Sequence, residues 1–231
     1  MCGVGEVKEV PTVAENSLVR IDKITLGPYE TNAYAIVNKL TSESILVDAP
    51  AEPEKLLKFI SGTIPRYVFL THSHKDHTGG LQEFVRKTWV RIDNEDRPIP
   101  CGANLADMPE VPLACHMRLG DGEFVRLSEV RVNILGTPGH TPGSICLRVG
   151  NLLLTGDTVF PGGPGHTDSP AAFKEIIKSI TEKILSLPDG VRVFPGHGPD
   201  TTVGKVRAEY KVFAGRTHDP NLCGDVTWLK S

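Results

Sequence analysis

Three of the chain's eight histidines fall within six positions, in Thr71-His72-Ser73-His74-Lys75-Asp76-His77. Histidines would ordinarily scatter, and neutral imidazole and carboxylate are ligands that suit zinc, iron and similar divalent ions. In an extended turn the alternation puts His72 and His74 on one side. Asp76 and His77 come where the chain curls toward a helix, within reach of a second ion a few ångströms away. At that separation two metals clamp one shared oxygen. Further along stand His140 in Thr137-Pro138-Gly139-His140-Thr141, Asp157 in Thr155-Gly156-Asp157-Thr158 and His197 in Pro195-Gly196-His197-Gly198. Each follows an apolar, strand-like run, so all can converge on one edge of a fold, with Gly139, Gly156 and Gly196 permitting tight turns.

The elements that must carry these residues follow from hydrophobic periodicity. Segments 18–26, 33–37 and 45–47 read as strands, separated by Gly, Pro, Asn and Ser. Pro53 opens a helix with Leu56, Leu57 and Ile60 on one face, and 67–70 is the next strand, so strand, helix, strand gives a layered α/β arrangement. The histidine stretch then lies on a strand-to-helix turn, with a short helix over 81–85 starting near 76–78. Residues 93–115, with four prolines and little periodicity, read as a long surface excursion that shapes a pocket rim. Strands at 124–127, 130–135, 145–149 and 152–154 imply a second sheet, the last two forming a hairpin at Gly150-Asn151. Ser169 as N-cap and Pro170 at the first helical position open a helix with Phe173, Ile176, Ile177, Ile180 and Ile184 on one face. A strand over 191–194 and a helix over 203–212 follow.

Composition narrows the function classes. At 231 residues, 39% hydrophobic and 23% charged, the chain is an ordinary globular sequence and not a disordered or collagen-like one. A net charge of −3 without blocks of like charge argues against nucleic acid. No run of 18 apolar residues and no signal-peptide core is present, which excludes a membrane span and points to a cytoplasmic protein. Five scattered cysteines, Cys2, Cys101, Cys115, Cys146 and Cys223, suggest neither a disulfide scaffold nor a thiolate zinc site and fit a reducing compartment. The expected organisation is an N-terminal extension over 1–17, one domain over 18–215 and a tail over 216–231.

The His-x-His-x-Asp-His motif, followed in order by single His, Asp and His, resembles the metallo-β-lactamase superfamily over roughly residues 18–210. The resemblance implies a four-layer αββα sandwich, with two mixed sheets face to face and helices outside. It implies that His72, His74 and His140 hold one metal, that Asp76, His77 and His197 hold the other, and that Asp157 bridges them. An aspartate at the bridging position is similar to glyoxalase II-like thioester hydrolases, whereas the secreted β-lactamases usually have cysteine there. Asp48 resembles the family's first-motif aspartate, which could accept the free ring N–H of a ligand histidine. His166 follows Asp157 closely enough to lie at the pocket lip, where glyoxalase II-like proteins often have arginine, and is the expected substrate contact. With residues 213–231 alone following the last expected helix, the expectation is a protein without the C-terminal helical domain of true glyoxalase II enzymes.

The implied cofactors are two divalent ions, Zn2+ first, with Fe2+ or Mn2+ as alternatives. Two such ions lower the pKa of a shared water from about 15.7 toward about 7 and polarise an acyl carbonyl. Asp157 and Asp76 are the expected catalytic carboxylates, Asp157 positioning the nucleophile and carrying a proton to the leaving group. The expected function is a dinuclear hydrolase of a small thioester. The alternatives are a mononuclear iron persulfide dioxygenase, a lactone or ester hydrolase of the same superfamily, or a non-enzymatic metal-binding scaffold. The expected partner is a small-molecule acyl substrate, with neither nucleic acid nor membrane, and a homodimer is the assembly left open.

Overall fold

Aliphatic and β-branched residues are densest in 19–47 and 124–156, and these stretches form the antiparallel parts of two sheets in the computed structural model, which describes residues 11–92, 95–111 and 115–230. The first sheet runs in order β1 (Thr12–Glu15), β2 (Val19–Leu26), β3 (Thr31–Asn38), β4 (Glu43–Val47), β5 (Ile64–Phe69), β6 (Cys101–Ala103) and β7 (Met117–Arg118). It is antiparallel as far as β4 and parallel beyond. The second runs β8 (Phe124–Leu127), β9 (Val130–Gly136), β10 (Ile145–Val149), β11 (Leu152–Gly156), β12 (Arg192–Pro195) and β13 (Thr201–Thr202), with β11 and β12 parallel.

Strand periodicity of two assigns the layers. Ile45 and Val47 face the other sheet and meet Ile134, Leu147, Leu154 and Phe194, whereas Leu46 between them faces outward. There it joins Leu56 of helix α1 (Pro53–Ile60) and Phe84 of α3 (Leu81–Lys87). On the far side Leu153 and Val193 are covered by Ile176 of α4 (Pro170–Ser179) and Val206 of α5 (Val203–Ala214). The result is the αββα sandwich, with central strands such as β3 and β11 buried on both faces. Helix α4 starts as its sequence predicts: Pro170 is first and the Ser169 hydroxyl accepts from Ala172 N at 3.2 Å. It runs on through a π-helical turn, Ile180–Ile184, which keeps Ile180 and Ile184 buried on the same face.

Four features depart from the sequence reading. The helix expected from 76–78 onward is two helices, α2 (Lys75–Thr78) and α3, because Gly80 N donates to Ala49 O and turns the chain between them. The 93–115 excursion is partly ordered into sheet. Glu95–Pro98 pairs with Trp89–Ile92, and β6 is a buried strand between β5 and β7. Cys101 and Cys115 form a disulfide that their scattered spacing does not suggest, because the segment before β7 runs beside β6 and brings their Cα atoms to 4.8 Å. That pairing removes the support the cysteines lent to a reducing compartment; Cys2 lies outside the described residues. Finally, both stretches set outside the domain contribute to it. β1 pairs with β2, Thr167 and Gly224 exchange backbone hydrogen bonds, and Trp228 is fully buried. No helix among the described residues is long and apolar enough to cross a membrane.

Candidate metal centre

β4 and β5 are parallel, as are β11 and β12, so their carboxyl ends open on the same edge, and β9 ends there too. His72–His77 follows β5, His140 follows β9, Asp157 follows β11 and His197 follows β12. The sheets are tied together there by Ile145 N donating to Thr71 O at 2.9 Å and Asn32 N donating to Gly196 O at 2.7 Å. The loops can approach because Gly196 has no side chain: a Cβ there would stand 2.1 Å from Asp157 Oδ1.

Ligand-type atoms converge in three overlapping groups, His72/His74/His140, His72/His77/Asp157 and Asp76/His77/His197, each with its atoms within 4.8 Å of one another. His72 and His140 bring their Nε2 atoms to 3.3 Å, and His77 and His197 do the same. Asp157 spans the groups, with Oδ1 3.3 Å from His77 Nε2 and Oδ2 3.6 Å from His140 Nε2 and 3.5 Å from His197 Nε2. Asp76 Oδ2 lies 3.1 Å from His197 Nε2 and 3.6 Å from His77 Nε2.

The other face of each ring explains why the Nε2 atoms point inward. His77 Nδ1 donates to Asp48 Oδ2 at 2.8 Å, His140 Nδ1 to the His166 carbonyl at 2.9 Å, and His197 Nδ1 to the Tyr29 carbonyl at 2.9 Å. The Thr71 hydroxyl gives its one proton to Asp48 Oδ2 at 2.8 Å, so at its 3.0 Å contact His72 Nδ1 is the donor. Four acceptors thus select one tautomer in four rings and free the Nε2 lone pairs, as metal-ligating histidines require. Asp48 reaches this position at the end of β4 with φ +62°, a left-handed conformation that aspartate tolerates better than most residues.

The side chains alone also set strong fields. Burial works against the charged form of His77, yet the Asp48 and Asp157 carboxylates outweigh it and raise its pKa to about 10. His197 is likewise raised to about 10, its burial overcome by Asp157 and Asp76. Burial and then the charge of His77 push His72 well down, and burial lowers His140. Asp157 is held well below the usual carboxylate range despite burial, by the His197 and His77 rings beside it.

These residues fit divalent metal. Asp157 Oδ1 is buried with no hydrogen-bond partner among the described residues, an orphaned acceptor that a cation would satisfy. Tetrahedral ligation at about 2.0–2.1 Å separates two nitrogens by roughly 3.3 Å, and the two Nε2 pairs already have that spacing.

Fold and donor set together define a metallo-hydrolase scaffold. The chain belongs to the metallo-beta-lactamase superfamily, whose family model matches residues 26–197. It is 34% identical over 197 residues to the probable metallo-hydrolase YqgX of Bacillus subtilis, covering 78% of this chain and 91% of that protein. It is 29% identical over 201 residues to the hydroxyacylglutathione hydrolase GloC of Haemophilus influenzae, covering 81% and 94%. Among solved structures it is similar to TTHA1623 in a di-iron-bound form, at 32% identity and a TM-score of 0.67, covering 80% of this chain and 96% of that one.

The seven residues His72, His74, Asp76, His77, His140, Asp157 and His197 all join the one cluster, and Asp48 lies directly behind His77. His166 is placed differently. Its backbone carbonyl holds His140, while its half-exposed ring sits between Asp225 at 2.9 Å and Asp168 at 3.3 Å. Sequence reasoning missed Thr71, the Tyr29 carbonyl and Asp107. A carbonyl has no sequence signature, and Asp107 stands in a segment with no periodicity.

Proposed function

We propose that the chain is a dinuclear, metal-dependent hydrolase of a small thioester. The observation that carries this reading is the division of Asp157: one oxygen faces His77 and the other faces His140 and His197. One carboxylate could therefore join His72/His74/His140 to Asp76/His77/His197, and each group would hold one ion. Divalent ions bound there would lower the pKa of a coordinated water toward about 7 and polarise a carbonyl, which supplies both halves of acyl hydrolysis at neutral pH.

The chain's own residues do the rest. Asp48, Tyr29 and His166 orient His77, His197 and His140 through their Nδ1 protons, so the ligands need no rearrangement during turnover. Asp157 and Asp76 are the carboxylates near the reacting atoms; Asp157, held ionised, is suited to position the nucleophile and is too weak a base to carry a proton to the leaving group. A thiolate leaving group needs little such help. Phe160, 6.2 Å from the His197 ring, lines with His166 a cavity of about 390 Å³ that could receive part of a substrate. The similarity to a hydroxyacylglutathione hydrolase supports a thioester as the bond cleaved.

The test is metal analysis of freshly purified protein joined to a screen of thioesters, lactones and persulfides. Two equivalents of metal and thiol release from a thioester are expected. One equivalent of iron with oxygen uptake on a persulfide, or no turnover of any acyl compound, would sink the reading.

A further inference from the structure

Asp107 is buried at 2% exposure in the segment between β6 and β7, yet it has no part in the chemistry above. Its carboxylate accepts three hydrogen bonds from described residues, none from lysine or arginine. Oδ2 takes Ser73 N at 2.9 Å and the Thr141 hydroxyl at 2.7 Å, and Oδ1 takes Gly143 N at 2.7 Å. Ser73 stands between His72 and His74, and Thr141 follows His140. One carboxylate therefore fastens together the two loops that carry His72, His74 and His140, although they are far apart in sequence.

The surroundings are built for this contact. Gly143 leaves room for it, since a Cβ there would stand 2.5 Å from Asp107 Oδ1. Asp107 N donates to Asn104 O at 3.1 Å, and the Asn104 side chain donates to Leu119 O at 3.1 Å, anchoring the segment to the sheet. The Cys101–Cys115 disulfide closes the same segment. Asp48 does comparable work for the neighbouring group, accepting Thr71 N at 2.8 Å and the His77 ring.

We propose that Asp107 is the positioning residue of the His72/His74/His140 group. By fixing the separation of the two loops it sets the spacing at which the three imidazoles take one divalent ion. This rests on the metal-binding reading above and gives the 93–115 excursion a role, the delivery of one buried acid to the metal loops. A carboxylate presents acceptors to all three donors, whereas asparagine turns an N–H2 toward at least one of them. Asp107→Asn should therefore fail to substitute despite its shape.

The experiment titrates Co2+ into chelator-stripped protein and follows visible absorption and heat. It compares wild type with Asp107→Ala, Asp107→Asn, Gly143→Ala and the exposed control Glu110→Ala. Loss of a residue that holds ligands in place typically weakens metal by about 10–100-fold. That loss is expected at one of two sites in the three test variants, with an altered cobalt spectrum, while Glu110→Ala matches wild type. Amide exchange in the stripped proteins should accelerate at Ser73 and Gly143 but not at Thr71, which Asp48 holds. Should Asp107→Ala fail to fold, Gly143→Ala and Asp107→Asn carry the titration. Unchanged affinity and spectrum in the variants would overturn the inference alone. A wild type that takes up no Co2+ would overturn it together with the function proposed above.

Discussion

At the edge where β4, β5, β11 and β12 end, Asp48, His72 and His77 are each no more than 2% exposed, and each meets a specific partner. At the opposite edge, near the starts of β4 and β5, a cavity of about 330 Å³ is lined by Glu43, Arg66, Tyr67 and Arg126. There Arg66 pairs with Glu43 at 2.6 Å with its side chain 38% exposed, and the Ser128 hydroxyl donates to the same Glu43 carboxylate. Both edges gather charge, but whole imidazole and carboxylate groups are buried at the first, whereas Arg66 at the second stays in contact with water. Solvated pairs keep their hydration and contribute little, whereas desolvated groups interact strongly and must be matched donor to acceptor. The carboxyl edge is where geometry is rigid enough to hold ions.

Experiment can set the two edges against each other. Stripping divalent metal with a chelator should abolish turnover, and adding back Zn2+, Fe2+ or Mn2+ singly should restore it to different extents; full activity after stripping would erase the distinction between the edges. Asp157→Asn at matched metal loading should lower kcat by about 10²- to 10³-fold, the usual effect of removing one preorganised electrostatic group, with little change in melting temperature. Leu147→Ala, in the core midway between the edges, should cost about 2–5 kcal/mol in denaturant unfolding and leave metal stoichiometry unchanged.

A pH series separates the edges further. His77 and His197 are raised from 6.5 to about 10 by carboxylates. The stability they add to the stripped protein is thus complete below pH 6.5 and lost as pH rises through about 10. Its melting temperature should therefore fall across that window, and loading with Zn2+ at pH 7 should release protons, read by calorimetry in two buffers of different ionisation enthalpy. The smallest effect is expected at the far edge, where Arg66→Ala should change stability by no more than about 1 kcal/mol.

Much of this architecture is legible in the amino-acid sequence. Alternating aliphatics assign Ile45, Leu46 and Val47 to opposite faces, and Ser169-Pro170 marks the start of α4. The histidine motif sits where the strands end. What escapes such reading is determined by tertiary context. β6 is three residues long, Cys101-Gly102-Ala103, too short for a period and recognisable only by its neighbours. The Cys101–Cys115 pairing depends on the segment before β7 coming to lie beside β6. Asp107 is one acid among many, set apart only by the three donors that distant loops bring to it.

The final residues carry a mechanical consequence. Gly224 clasps Thr167, and Trp228 N donates to Gly162 O at 2.8 Å, so the end of the chain is a tie-rod across the loop whose His166 carbonyl steers His140. Proteolytic clipping after His218 would slacken that loop and let His140 tilt, although the cut lies beyond the 26–197 span common to the family. Leu229 and Lys230 line one cavity with Phe160 and His166, so an affinity handle placed past Lys230 would start beside that loop.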